Sequence, residues 1–296
     1  MDAKKNWLIT GLGFALLWSS AATATKIALK EAQPLTVALC RFGIAAAIML
    51  FTAHAFLKKR LPKGKEWQQL AMYGLLNISI YLGMYVVAMK EVTAGIGALT
   101  IAASPVFISF LSLFFFKKPL GWRIFLALMV CISGFIVVAW PLFKNASVTI
   151  RGLSILIVSM LSYALGTLYF ASKKWEGLHL LTINGWQTLL GGLFLLPFLW
   201  ITYKPEANRF GFHFWAGTLW LVIPVSIGAV LLWLKLIQQD AVKAGLWLFL
   251  SPIFGIVYAA ILVGDTISIY TIVGVSMVLG GLGISHYDKK VAAPME

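Results

Sequence analysis

The chain has 296 residues, of which 60% are hydrophobic and only 11% charged, with a formal net charge of +14; its mean hydropathy is +0.90. A water-soluble chain of this length needs far more polar surface, so one or two soluble domains are excluded. Apolar runs of about 20 residues, enough to cross about 30 Å of hydrocarbon, recur throughout, and their continuity excludes an alternating transmembrane β-barrel.

Ten helical spans are predicted, at 7–25, 35–57, 68–89, 93–116, 121–141, 152–172, 179–202, 215–235, 241–263 and 267–286. The first follows Lys4 and Lys5 and holds Ala22-Thr23-Ala24, which resembles a signal-peptide cleavage site. Its apolar run is longer than a usual signal core, so it is read as a retained span. It ends in a polar group, Trp18, Ser19, Ser20 and Thr23. The second span carries Arg41, the one charge well inside a span; a buried charge of this kind defaults to a functional hypothesis. The third carries Tyr73, Asn77, Tyr81 and Tyr85 at i+4 spacing, which forms one slowly drifting stripe. Tyr73 and Tyr85, near the span ends, suit interface anchors. Asn77 and Tyr81 lie deeper, where a polar group facing lipid is costly; they are read as facing a cavity, with helix-to-helix hydrogen bonding as the competing role.

The fourth span contains Ser104-Pro105 and the ninth Ser251-Pro252, one turn after Trp247. Proline lacks the N–H that a helix needs and clashes one turn back, so carbonyls near Ile101 and Leu248 lose their helical donors. The sixth span adds Ser159, Ser162, Tyr163 and Thr167. Hydroxyls and aromatics of this kind suit amphipathic organic ligands, or cations held over rings. Cys40 and Cys131 both fall within spans and read as small buried apolar residues.

The positive charge is distributed by side. With the N-terminus inside, sixteen basic residues fall in cytoplasmic segments, among them Lys58, Lys59, Arg60, Lys117, Lys118, Lys173, Lys174, Lys289 and Lys290. Seven fall outside: Lys26, Lys30, Lys90, Lys144, Arg151, Lys204 and Arg209. This is the positive-inside pattern. The basicity therefore reports topology rather than nucleic-acid binding, with both termini cytoplasmic, and the bilayer is the first partner expected.

Shifting the chain by 147 residues places Ala94 on Ala241, Ser104 on Ser251, Pro105 on Pro252, Phe107 on Phe254 and Gly134 on Gly281. Two five-helix halves follow, 1–146 and 147–296. Five is odd, so the second half enters from the opposite side and the repeats are inverted, an arrangement that puts a substrate site near the midplane. The symmetric Ser-Pro pair favours a cavity or gating role over two unrelated kinks.

The stretches LLWSSAATATKIALKEAQPLTVALCRFGIAAAIML (16–50) and EVTAGIGALTIAASPVFISFLSLFFFKKPLGWRIFLALMVCISGFIVV (91–138) resemble the drug/metabolite transporter superfamily, and within it the ten-helix EamA-type exporters. The resemblance implies an all-helical integral membrane basket with a central cavity, alternating access, and export of amino acids or other small metabolites. It implies that helices one, three, four, six, eight and nine line the cavity and that five and ten support it. Trp18, Lys26, Arg41, Ser104 and Pro105 carry the pattern; Gly264-Asp265 departs from its basic turn, and Trp186 lies near the mate of Arg41. Arg41 could attract a carboxylate, but since the second helix lies outside the implied lining, a structural role, bonding helix carbonyls, is favoured.

All ten acidic residues, Asp2, Glu31, Glu66, Glu91, Glu176, Glu206, Asp240, Asp265, Asp288 and Glu296, fall at span ends, loops or termini. The usual proton-antiport mechanism is thereby weakened. His54, His179, His213 and His286 show no metal-ligand spacing. The expected function is a secondary carrier in the bacterial cytoplasmic membrane, exporting amino acids or related small organic metabolites, without metal or cofactor. Substrate contacts are assigned to Trp18, Ser19, Asn77, Tyr81, Tyr85, Ser104, Pro105, Tyr163, Trp247, Ser251 and Pro252. Import of a nucleotide sugar or quaternary amine is the alternative, ahead of an intramembrane enzyme or a non-transporting partner protein. The glycine-rich stretch 274–283 offers a close-packing face without fixing an oligomeric state.

Overall fold

The computed structural model describes residues 3–92, 94–116, 121–145, 149–251, 253–255, 258 and 269–286, and every regular element among them is helical. Pro252 and the Gly264-Asp265 turn lie outside the described residues. The helices are α1 (Ala3–Ser19), α2 (Ala21–Ala28), α3 (Pro34–Phe51), α4 (Lys65–Gly74), α5 (Gly83–Ala88), α6 (Ala94–Phe116), α7 (Trp122–Asn145), α8 (Ile150–Ser172), α9 (Leu180–Thr202), α10 (Phe212–Trp220), α11 (Val230–Gln239), α12 (Ala241–Gly245) and α13 (Ile269–His286). Six helical runs among the described residues are long and apolar enough to cross a membrane: Asn6–Ala28, Pro34–Phe56, Lys65–Ala88, Ile150–Ser172, Leu180–Thr202 and Phe212–Gln239. Shorter apolar stretches, Ser104–Phe115, Trp122–Gly134, Ala241–Gly255 and Ile272–Gly281, occupy the four other places where the sequence predicts a span.

Local chemistry explains the helix starts. Pro34 sits at the first turn of α3, where its missing N–H is harmless. Thr149 Oγ1 accepts from the Gly152 N–H at 2.9 Å to cap α8, and Asp240 Oδ1 accepts from the Lys243 N–H at 3.0 Å to cap α12. These starts carry the repeat into three dimensions. Ala3 and Ile150, Lys65 and Phe212, Ala94 and Ala241, and Trp122 and Ile269 are each 147 residues apart, and Pro34 and Leu180 are 146 apart.

Two membrane runs contain π-helical segments at equivalent points, Leu75–Leu82 between α4 and α5 and Leu221–Ala229 between α10 and α11. Such widened turns shift the amide ladder and often mark functional sites. Pro224, which has no N–H to give, sits in the second. Neighbouring helices supply donors to these segments: Ser162 Oγ donates to the Leu76 carbonyl at 2.7 Å, and Asn184 Nδ2 donates to the Ser226 carbonyl at 2.8 Å. In hydrocarbon a freed carbonyl needs such a partner.

The two Ser-Pro sites are built differently. α6 runs unbroken through Pro105, whereas the chain tightens into a 3₁₀ segment, Leu246–Leu250, just ahead of Ser251. The first membrane run, expected to be one helix, is broken at Ser20. Ser19 Oγ and Ser20 Oγ donate to the Leu16 and Leu17 carbonyls at 2.8 and 2.6 Å, and Trp220 Nε1 donates to Ser20 Oγ at 2.8 Å.

α3 packs on α9, α6 on α8 and α7 on α13. The α4–α9 seam is closest: a Cβ on Gly74 would lie 2.5 Å from the Gln187 carbonyl oxygen, and one on Gly191 2.5 Å from that of Gly74. Small residues permit this backbone contact. The bundle's outside is apolar, with Ile150, Trp200, Ile201 and Phe212 each more than 80% exposed, a surface suited to lipid. At one end, loops from the two halves are clasped together. Glu31 accepts from the Phe214 N–H and pairs with His213, both at 2.9 Å, while Gln33 bonds Asn208 and Thr149 donates to Glu91.

Candidate functional site

At the centre of the bundle an aromatic series crosses from one half to the other. Phe14 stacks on Trp233 at 4.9 Å between centroids, Trp233 on Tyr163 at 5.7 Å, and Tyr163 meets Tyr81 at 4.6 Å. Trp18 lies over Tyr163 at 6.5 Å. Around these rings is a narrow cavity lined by Trp18, Asn77, Ile78, Tyr81, Leu82, Tyr163, Asn184, Thr188, Ser226, Val230 and Trp233. The space left holds about one water molecule. The indole N–H groups of Trp18 and Trp233 are buried without a partner. Unspent donors in an apolar-walled cavity are suited to a ligand's acceptor oxygen.

The polar side of the cavity is a hydrogen-bonded relay across four membrane runs. Asn77 Nδ2 donates to Gln187 Oε1 at 3.1 Å, Gln187 Nε2 to Asn184 Oδ1 at 3.0 Å, and Asn184 Nδ2 to the Ser226 carbonyl. Arg41 Nε then donates to Ser226 Oγ at 2.7 Å. Arg41 therefore bonds a side-chain hydroxyl, where the sequence reading expected helix carbonyls. It borders a second small void with Thr25, Phe42 and Tyr85, and Leu82 forms a wall of both voids.

Of the residues assigned from sequence, Trp18, Asn77, Tyr81 and Tyr163 come together in the central cavity, and Tyr85 lies in the void beside Arg41. Ser19 is turned back on its own helix. Ser104 donates to Met160 Sδ at 3.2 Å, between α6 and α8. Pro105, in the middle of α6, packs beside Gly245 at the end of α12. Trp247 is buried against Gly11, and the buried Ser251 hydroxyl has no partner. Tyr73, read as an interface anchor, is fully buried among Phe170 and Trp175.

Sequence reasoning missed Asn184, Thr188, Ser226 and Trp233. The lining of the central cavity includes α9, and among the described residues neither α6 nor α12 contributes to it. A signal for α9 was present: Asn184, Gln187 and Thr188 are polar at i, i+3 and i+4 within an apolar run. Nothing local separates Trp233 from the other eleven tryptophans.

The lining also departs from the repeat. Positions 147 residues from Asn77, Val86, Leu16 and Arg41 are Pro224, Trp233, Tyr163 and Thr188. The scaffold is duplicated; the chemistry of its centre is not.

Comparison with known proteins agrees with the duplicated scaffold. The profile of the EamA-like transporter family matches residues 5–140 and again 150–286. An uncharacterized transporter of Archaeoglobus fulgidus is 23% identical over 283 residues, covering 95% of this chain and 98% of that one. Protein PecM of Dickeya dadantii is 27% identical over 270 residues, covering 90% and 87%. A crystal structure with 17% sequence identity superposes with a TM-score of 0.76 over 96% of this chain and 97% of the other.

Proposed function

Because the chain belongs to the EamA-like transporter family, we propose that this membrane transporter is a secondary carrier exporting amino acids or related small organic metabolites by alternating access. The observation that carries the proposal is the central cavity, whose lining comes from both repeats: Trp18, Asn77 and Tyr81 from the first, Tyr163, Asn184, Ser226 and Trp233 from the second. A site at the interface of two repeats changes its access when the repeats rearrange. In this reading the halves 1–146 and 147–296 form ten spans in inverted orientation, with cytoplasmic termini in a bacterial cytoplasmic membrane. The spacing of helix starts, 147 residues in four pairs and 146 in the fifth, supports the repeat, and the positive-inside bias supports the orientation.

Trp18, Asn77, Tyr81 and Tyr163 would hold the solute, with Tyr85 at its edge. Ser104, Pro105, Trp247, Ser251 and Pro252 would act at the crossing of the fourth and ninth spans, and Ser19 at the break in the first. The chain is read as a carrier rather than an enzyme. Its aromatic box on its own also suits a quaternary amine, which keeps uptake of such a solute as the second reading.

Purified protein in liposomes, tested for counterflow with a panel of labelled amino acids and metabolites, with and without a pH gradient, tests substrate and coupling together. Counterflow of at least one amino acid is expected. Absence of counterflow for every panel member would refute the proposal.

A further inference from the structure

We infer that Arg41 is the binding partner of an anionic group, a single carboxylate, on the transported solute. The inference rests on the carrier reading for the word "transported" and on geometry for the rest. Arg41 is 6% exposed in the middle of α3. The ion pairs among the described residues, Arg60–Glu66, Arg151–Glu91, His213–Glu31 and Lys243–Asp240, are all elsewhere. A guanidinium has five N–H donors. Its Nε is used on Ser226 Oγ, while Nη2 is buried with no acceptor, as is the neighbouring Tyr85 hydroxyl.

A cation withdrawn from water and left without a counter-charge is destabilising, and a charge inside a membrane bundle generally marks a ligand or ion path. The ring of Phe42, 5.6 Å from the guanidinium carbon, offers only weak compensation. A carboxylate fits what is left over, because Arg donates to it in a planar, charge-assisted geometry.

Arg41 borders one void, and its bond partner Ser226 borders the other, with Leu82 shared. A solute lying along the aromatic cavity therefore has its acid end at Arg41 and its apolar body against Tyr163 and Trp233. The position 147 residues on from Arg41 is Thr188, so the repeat supplies no second cation. One fixed positive charge matches one carboxylate better than a dianionic phosphate ester. The same charge disfavours the quaternary amine that the aromatic box alone would accept.

The test uses the full-length protein in a neutral detergent. Apparent affinities are read from ligand-induced shifts in melting temperature, for L-leucine, L-phenylalanine and 3-phenylpropionate. Each is compared with its primary amide and decarboxylated amine, and phenyl phosphate is included. At least one acid is expected to bind about 10- to 100-fold tighter than its amide, with phenyl phosphate no tighter than that acid. In Arg41→Met this preference should fall to about 2-fold or less, while the unliganded variant melts at or above the wild-type temperature, since a buried uncompensated cation has been removed. Arg41→Lys should keep the preference for acids. An equal affinity of wild type for every acid and its amide would overturn the assignment, as would a preference that survives in Arg41→Met. Liposome counterflow of the same probes separates the two readings. Preference for acids without flux would remove the carrier reading and leave the Arg41 site, whereas equal flux of acids and amides would do the reverse.

Discussion

The indole of Trp233 lies nearly flat on the ring of Tyr163, with centroids 5.7 Å apart and planes 23° from parallel. The two residues come from α11 and α8 and both line the central cavity. Removing the indole opens the wall where an apolar solute body would rest. Trp233→Ala should weaken binding of a transported amino acid by about 10-fold or more, and Trp233→Phe, which keeps the stack, by about 3-fold or less. Equilibrium binding of the labelled solute to protein in detergent measures both.

Two glycines should respond oppositely to the same change. A Cβ on Gly74 would lie 2.5 Å from the main-chain oxygen of Gln187, which cannot move without displacing α9. A Cβ on Gly245 would make ordinary contacts, 3.4 Å from Ile108 Cδ1 and 3.6 Å from Pro105 Cα. Gly74→Ala should cost about 1–3 kcal/mol, while Gly245→Ala should be neutral or stabilising by up to about 1 kcal/mol. Unfolding of the two variants side by side in mixed micelles gives the comparison.

Asn184 holds the polar relay by donating to the Ser226 carbonyl at 2.8 Å and accepting from Gln187 at 3.0 Å. Its replacement by Ala frees a carbonyl inside a π-helical segment. Hydrogen bonds between membrane helices contribute about 0.6 kcal/mol on average and about 1.7 at most. With that interhelical bond lost, together with the bonds within α9 from Gln187 and, at 3.4 Å, Thr188, Asn184→Ala should reduce stability by about 1–2 kcal/mol, read from the unfolding midpoint.

The clasp at one end of the bundle predicts an acid sensitivity. The Phe214 N–H and the His213 ring hold the Glu31 carboxyl below the usual carboxylate range. A depressed acid stabilises the fold fully above its unfolded value of about 4.3, and that contribution is lost as pH falls through the lower folded value. The melting temperature of wild type should therefore drop on acidification below about pH 4, and Glu31→Gln should flatten that part of the curve. Melting curves from pH 3 to pH 7 for the two proteins check the difference.

The helical class was legible because hydrophobic run length is a local property of the chain, and the repeat because the same Ser-Pro pattern recurs 147 residues on in the linear sequence. The stripe on the third span was legible for the same reason, and Asn77 and Tyr81 do reach the cavity. The two π-helical segments were not. An amide ladder slipped by one residue leaves no mark on composition, and Pro224 could equally have signalled a simple kink. Nor could the partner of Arg41 be read, since Ser226 is 185 residues away and serines are common in the spans. Tyr73 shows the limit of depth reading: near a span end by count, it is enclosed by Phe170 and Trp175 from the next repeat.

At Gly74 and Gly191 two main chains touch with no layer of side chains between them, and Ser79 Oγ fastens the same seam by donating to the Gly191 carbonyl at 2.6 Å. One chain segment belongs to each repeat, so a simple rocking of half against half would have to tear this seam open. The runs Lys65–Ala88 and Leu180–Thr202 are joined there main chain to main chain. The first run is interrupted at Ser20, and its far piece is held as well: Lys26 donates to the carbonyls of Met89 and Val92, and a Cβ on Gly217 would lie 2.6 Å from the Ala24 carbonyl oxygen. An opening of the centre has to spare or break both main-chain contacts, since each joins a segment of one repeat to a segment of the other.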